Sequence, residues 1–119
     1  MIKKSFLLGV FLFCCANAFA GGNSEELLSE CTKLEKLKNQ EGLVADVHCA
    51  SYIDGVIDGY RILTDISPQA RFICLPKAGL TNEQAIQIFT NWLIKHPNEK
   101  NTPARSGVLL SLKETFPCK

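Results

Sequence analysis

Residues 46–64 read DVHCASYIDGVIDGYRILT, and their periodicity decides the fold class. Cys49, Tyr52, Ile53, Val56, Tyr60 and Leu63 recur at three- and four-residue intervals, the spacing of one face of an α-helix and not the alternation of a strand. Gly55 and Gly59 sit one turn apart inside that helix. Each costs about 1 kcal/mol against alanine in a helix interior, so a pair on one face points to a flat strip where another helix packs closely. Asp54 and Asp58, also one turn apart, read as a solvated face, because two carboxylates without a further oxygen-rich loop make a poor calcium site.

On the N-terminal side, Asn39 to Gly42 reads as a turn, and Ser24 caps a first helix whose Glu25 and Glu26 suit the positive helix terminus. Leu27, Leu28, Cys31, Leu34 and Leu37 form its apolar stripe, opposite Glu30, Lys33, Glu35, Lys36 and Lys38. On the C-terminal side, Asp65 to Gly79 contains Pro68, Pro76 and Gly79 and forms an irregular return carrying Cys74. Thr81 and Gln84 make a capping box for a third helix, with Ala85, Ile86, Phe89, Trp92 and Leu93 inward and His96-Pro97 as its stop. Thr102-Pro103 opens a fourth, whose stripe is Ala104, Val108, Leu109, Leu112 and Phe116. The fold class is all-α: a small four-helix bundle-like domain with no convincing strand.

Residues 1–20 place Lys3 and Lys4 before an apolar run from Phe6 to Cys15 and close on Ala18-Phe19-Ala20. That is the layout of a secretory signal cleaved after Ala20, and the run is shorter than the ~20 residues needed to span a bilayer. The expected mature unit is a single domain, residues 21–119, exported from the cytoplasm. Its cysteines, Cys31, Cys49, Cys74 and Cys118, are an even set in an oxidising compartment and imply two disulfides. Four cysteines allow three pairings. A helix from Asp46 to Thr64 spans about 28 Å, and an extended return from Asp65 to Ile73 covers about 30 Å. That path brings Cys74 beside Cys49 and leaves Cys118 for Cys31.

Losing Lys3 and Lys4 turns the whole-chain charge of +1 into −1, which argues against nucleic acid and against an anionic membrane surface. The mature cysteines are too widely spaced for a zinc site. His48 beside Cys49 does not make a thiol–base pair, since neighbouring helical residues point in different directions. His96 reads as a helix-end cap. No Ser-His-Asp set, phosphate loop or CxxC pair appears, so no enzyme activity, metal or cofactor is expected.

The ordered landmarks carry a resemblance. Cys49-x-x-Tyr52-Ile53-x-Gly55-x-x-x-Gly59 is followed by Phe72-x-Cys74-x-Pro76 and Gly79-x-Thr81-x-Glu83-Gln84. Then come Trp92-Leu93-x-x-His96-Pro97, Pro103-Ala104 and Phe116-Pro117-Cys118. The set resembles the Rap/Tai family of type VI secretion immunity proteins, from about Cys31 to Cys118. The resemblance implies a periplasmic all-α domain that binds a cysteine–histidine peptidoglycan amidase and blocks its cleft. It also implies a homodimer, with a loop of one subunit entering the cleft.

A local argument places that loop. The connector from His96 to Pro103 is polar, bounded by two prolines and held between two capped helices. Asn98, Glu99, Lys100 and Asn101 are therefore the expected partner-binding residues, projecting from rigid ends. A second reading, a small periplasmic acid-stress chaperone of the HdeA type, calls for an excess of groups that titrate as pH falls. Two His, and 12 acids balanced by 13 bases, supply little of it.

Overall fold

A two-residue connection, Lys38-Asn39, turns the chain back on itself and sets the architecture. The structure is a computed structural model that describes residues 22–119; the expected signal and its cleavage site lie outside them. α1 (Ser24–Leu37) and α2 (Gln40–Ile66) form an antiparallel hairpin. A short 3₁₀ turn, Pro68–Ala70, starts the return to α3 (Asn82–Lys95), and a second, Pro97–Glu99, lies in the connector to α4 (Ala104–Thr115). The all-α reading holds among the described residues, which add only two isolated bridges, Asn23 with Pro103 and Ile73 with Pro117.

The caps explain where the helices begin. At α1 the cap is Asn23, one residue before the expected Ser24. Its side chain accepts the Glu26 N–H at 2.9 Å, while the Glu26 carboxylate accepts the Asn23 N–H at 3.0 Å. Ser24 is instead wholly buried. At α2 the Asn39 side chain accepts the Gly42 N–H at 3.0 Å, so the helix starts at Gln40 and not at Asp46. The segment Asn39–Gly42, read as a turn, is a cap and the first helical turn. Thr81 and Gln84 exchange their bonds at 3.2 and 3.0 Å as the sequence predicts. Thr102 does not cap α4: Pro103 holds that position without a side-chain bond.

The core gathers one face from each helix. Leu27, Ile53, Ile57, Phe89, Leu93, Val108 and Leu112 are buried together, with Ile73 of the return among them. Each such side chain stabilises the fold by about 1.5–3 kcal/mol relative to exposure. Tyr60 fixes the return segment. Its phenolic oxygen accepts the N–H groups of Phe72 and Ile73 at 3.0 and 2.8 Å and donates to the Ile73 carbonyl at 2.9 Å.

Tyr60 also explains why the expected cysteine pairing is wrong. The disulfides are Cys31–Cys49 and Cys74–Cys118. The return is not extended; it coils through the 3₁₀ turn and is caught at Tyr60, about 16 Å of helix short of Cys49. There it meets the C-terminal end, where the Cys74 N–H donates to the Phe116 carbonyl at 2.9 Å. The tight α1–α2 connection leaves Cys31 and Cys49 facing each other across the hairpin. In the chain-entropy account, sequence separations of 18 and 44 residues correspond to ceilings of about 3 and 4 kcal/mol.

The glycine expectation is corrected as well. A Cβ added at Gly55 or at Gly59 would meet nothing within 4 Å, so neither residue lets a helix approach. The close approaches are at Gly42, where a Cβ would lie 2.9 Å from the Leu34 Cα, and at Gly107, where it would run into the Ser24 Oγ.

Candidate functional site

Both ends of the connector between α3 and α4 are fastened, and the fastening begins with the last turn of α3. The Trp92 carbonyl accepts the His96 N–H at 3.0 Å, and His96 Nδ1 lies 2.8 Å from the same oxygen. The imidazole stacks on the Trp92 indole with centroids 4.7 Å apart. Trp92 Nε1 donates to Glu114 Oε2 of α4 at 2.9 Å, and His96 Nε2 lies 3.4 Å from that oxygen. The point where the chain leaves α3 is thereby tied to α4.

The far end is tied to the start of α1. The first N–H groups of a helix have no partner inside it. Here the Ser24 N–H donates to the Thr102 carbonyl at 2.8 Å, and the Glu25 N–H to the Lys100 carbonyl at 3.0 Å. The Ala104 N–H adds a bond to the Gly22 carbonyl at 3.1 Å. The buried Ser24 hydroxyl lies 3.2 Å from the Thr102 carbonyl oxygen and 3.1 Å from its Oγ1, which itself donates to the Glu99 carbonyl at 2.7 Å. Lys100 Nζ stands 3.4 Å from the Glu25 carboxylate.

These bonds turn the Lys100 and Thr102 carbonyls toward α1, and the side chains of the same two residues reach Glu25 and Ser24 there. Asn98 and Asn101 are exposed, whereas Glu99 and Lys100 are half-buried. Of the four residues expected to project, two stand free in solvent. The clamp itself, Gly22 to Glu25, was not expected. Its only signal in the sequence is Asn23-Ser24 ahead of two glutamates, which announces a cap and says nothing about what Ser24 reaches.

The remaining sequence candidates are dispersed. Cys49 is half of a disulfide, and exposed His48 lies 3.9 Å from Glu30. Asp58 pairs with Arg61 at 3.7 Å on the exposed side of α2. Among the described residues there is no group of three or more His, Cys, Asp and Glu that could hold a metal ion, and no helix long and apolar enough to cross a membrane. Gly55 and Gly59 line a shallow hollow of about 310 Å³ together with Leu63, Phe72 and Leu109. Ile62 and Ile66 are exposed on the same helix.

Comparison with known proteins gives one family. The family described as Rap1a immunity proteins matches residues 23–118, the segment from the α1 cap to the last cysteine. No curated protein and no solved structure matches the chain.

Proposed function

As the chain belongs to the Rap1a immunity protein family, we propose that it protects its cell by plugging the cleft of a peptidoglycan amidase, delivered by type VI secretion, in the periplasm. An immunity protein binds an effector. It acts by occlusion, without chemistry of its own. The observation that carries the reading is the connector, where exposed Asn98 and Asn101 are presented by a backbone bonded at both ends to α1 and α3. A loop already fixed in its bound shape loses little entropy on docking, which is what a plug requires. The two disulfides suit an oxidising compartment. A homodimer belongs to the same reading, and the hollow over Gly55 and Gly59, flanked by exposed Ile62 and Ile66, is an apolar surface available for it.

The test uses Asn98→Glu with Asn101→Glu, which leaves every backbone bond of the connector in place. Cells expressing the cognate amidase in the periplasm lose protection, while the thermal midpoint of the purified variant stays within about 2 °C. Full protection by the double variant would remove the connector from the contact surface and send the search to a helix face.

A further inference from the structure

A second concavity, of about 810 Å³, opens between α1, α2 and α3, away from the connector residues. Its volume lies within the ~300–1,000 Å³ typical of binding clefts. Part of its wall is apolar: Ile86 is half-buried, while Val47 and Ile94 remain 58% and 66% exposed. The charged residues that line it are Glu35, Asp46 and Glu83, and no Lys or Arg is among them, although the chain holds 13 bases against 12 acids. None of the three carboxylates forms an ion pair among the described residues, whereas Glu25, Glu30, Glu41 and Asp58 each stand within 4 Å of a Lys or Arg nitrogen.

We propose that this groove docks a basic segment of a second protein, one that combines Lys or Arg with apolar side chains. Three unpaired negative charges around an apolar wall set up a field whose complement is cationic. Size selects a segment over a small cation. The α3 side of the groove runs from Asn82 to Ile94, about 18 Å at the helical rise, or roughly five residues of extended chain. Exposed Leu43 and Val44 continue the apolar surface along α2 beyond Val47. The site is also preformed, because Cys31, in its lining, is bonded to Cys49 and locks α1 to α2. The proposal stands apart from the connector reading and needs no amidase to be tested.

Random dodecapeptides displayed on phage are panned against the disulfide-bonded protein, produced by exporting the full-length chain. The expected winners combine Lys or Arg with Leu, Ile, Val or Phe, and one is synthesised as the probe. Its affinity falls about tenfold or more in Glu35→Gln/Asp46→Asn/Glu83→Gln, and by a similar factor between 50 and 300 mM NaCl. The matched variant Asp54→Asn/Asp58→Asn/Asp65→Asn, with the same change in net charge, binds within about twofold. Glu35→Gln/Glu83→Gln, which touches only exposed side chains, gives an intermediate loss and covers the case in which Asp46→Asn impairs folding. Amide shifts on adding the probe centre on Val47, Ile86 and Ile94. Winners without basic residues, equal losses in the two triple variants, or shifts centred elsewhere would each overturn the proposal.

Discussion

Gly107 and Gly59 are both helical glycines, and their surroundings are opposite. Gly107 is buried where α4 crosses the start of α1, and a Cβ there would strike the Ser24 Oγ and lie 3.2 Å from Phe89 Cε2. Gly59 is exposed on α2 with nothing within 4 Å of the same added atom. The helix loses the same propensity at both positions, about 1 kcal/mol against alanine. What differs is the neighbour. At the α1–α4 crossing the missing side chain lets Ser24 approach α4 and hold Thr102, and so fixes the connector; on α2 it leaves a shallow hollow.

Filling Gly107 should produce the largest change. Gly107→Val forces Ser24 and Phe89 aside and destabilises the protein by about 3 kcal/mol in urea unfolding, the upper end of an overpacked core. The connector loosens with it, seen as faster amide exchange at Lys100 and Thr102. Ser24→Ala keeps the space but deletes the buried hydroxyl, at about 1–2 kcal/mol in the same measurement. If Ser24→Ala proves neutral, the hydroxyl is not what joins α1 to the connector. Gly42→Ala sets a Cβ 2.9 Å from the Leu34 Cα, where backbone and not a flexible side chain must yield. A loss of about 1 kcal/mol is expected, offset in part by better helix propensity. Gly59→Ala should reverse the sign and raise stability by up to ~1 kcal/mol, because the substitution meets no neighbour and removes the glycine penalty. Destabilisation of the dilute monomer by Gly59→Ala would mean that α2 is covered there after all.

Much of the fold was legible because the signals are local. The period of Cys49, Ile53, Val56 and Tyr60 marks a helix face whatever it packs against, and the Thr81–Gln84 box needs only four residues to announce α3. The family was legible too, since the ordered landmarks survive as a pattern along the chain. The candidate site was legible in half. Pro97 and Pro103 mark the connector, but which of its side chains stand free depends on Ser24, 78 residues away from Thr102 in sequence.

By itself the sequence determined four amphipathic helices, the Thr81–Gln84 box and the His96-Pro97 stop of α3, and four cysteines destined for disulfides. Those properties follow from propensity and periodicity within one or two helical turns. Only the tertiary structure decided the pairing of Cys31 with Cys49 and Cys74 with Cys118, the two helical glycines that a neighbouring element crowds, and the inward turn of Ser24. Each of these depends on how far a connection carries the chain before it doubles back. The Lys38-Asn39 turn is short enough to align Cys31 with Cys49, and Tyr60 catches the return before Cys74 can pass it. Local preferences fix what each segment is; register between segments is set by contacts that no single segment contains.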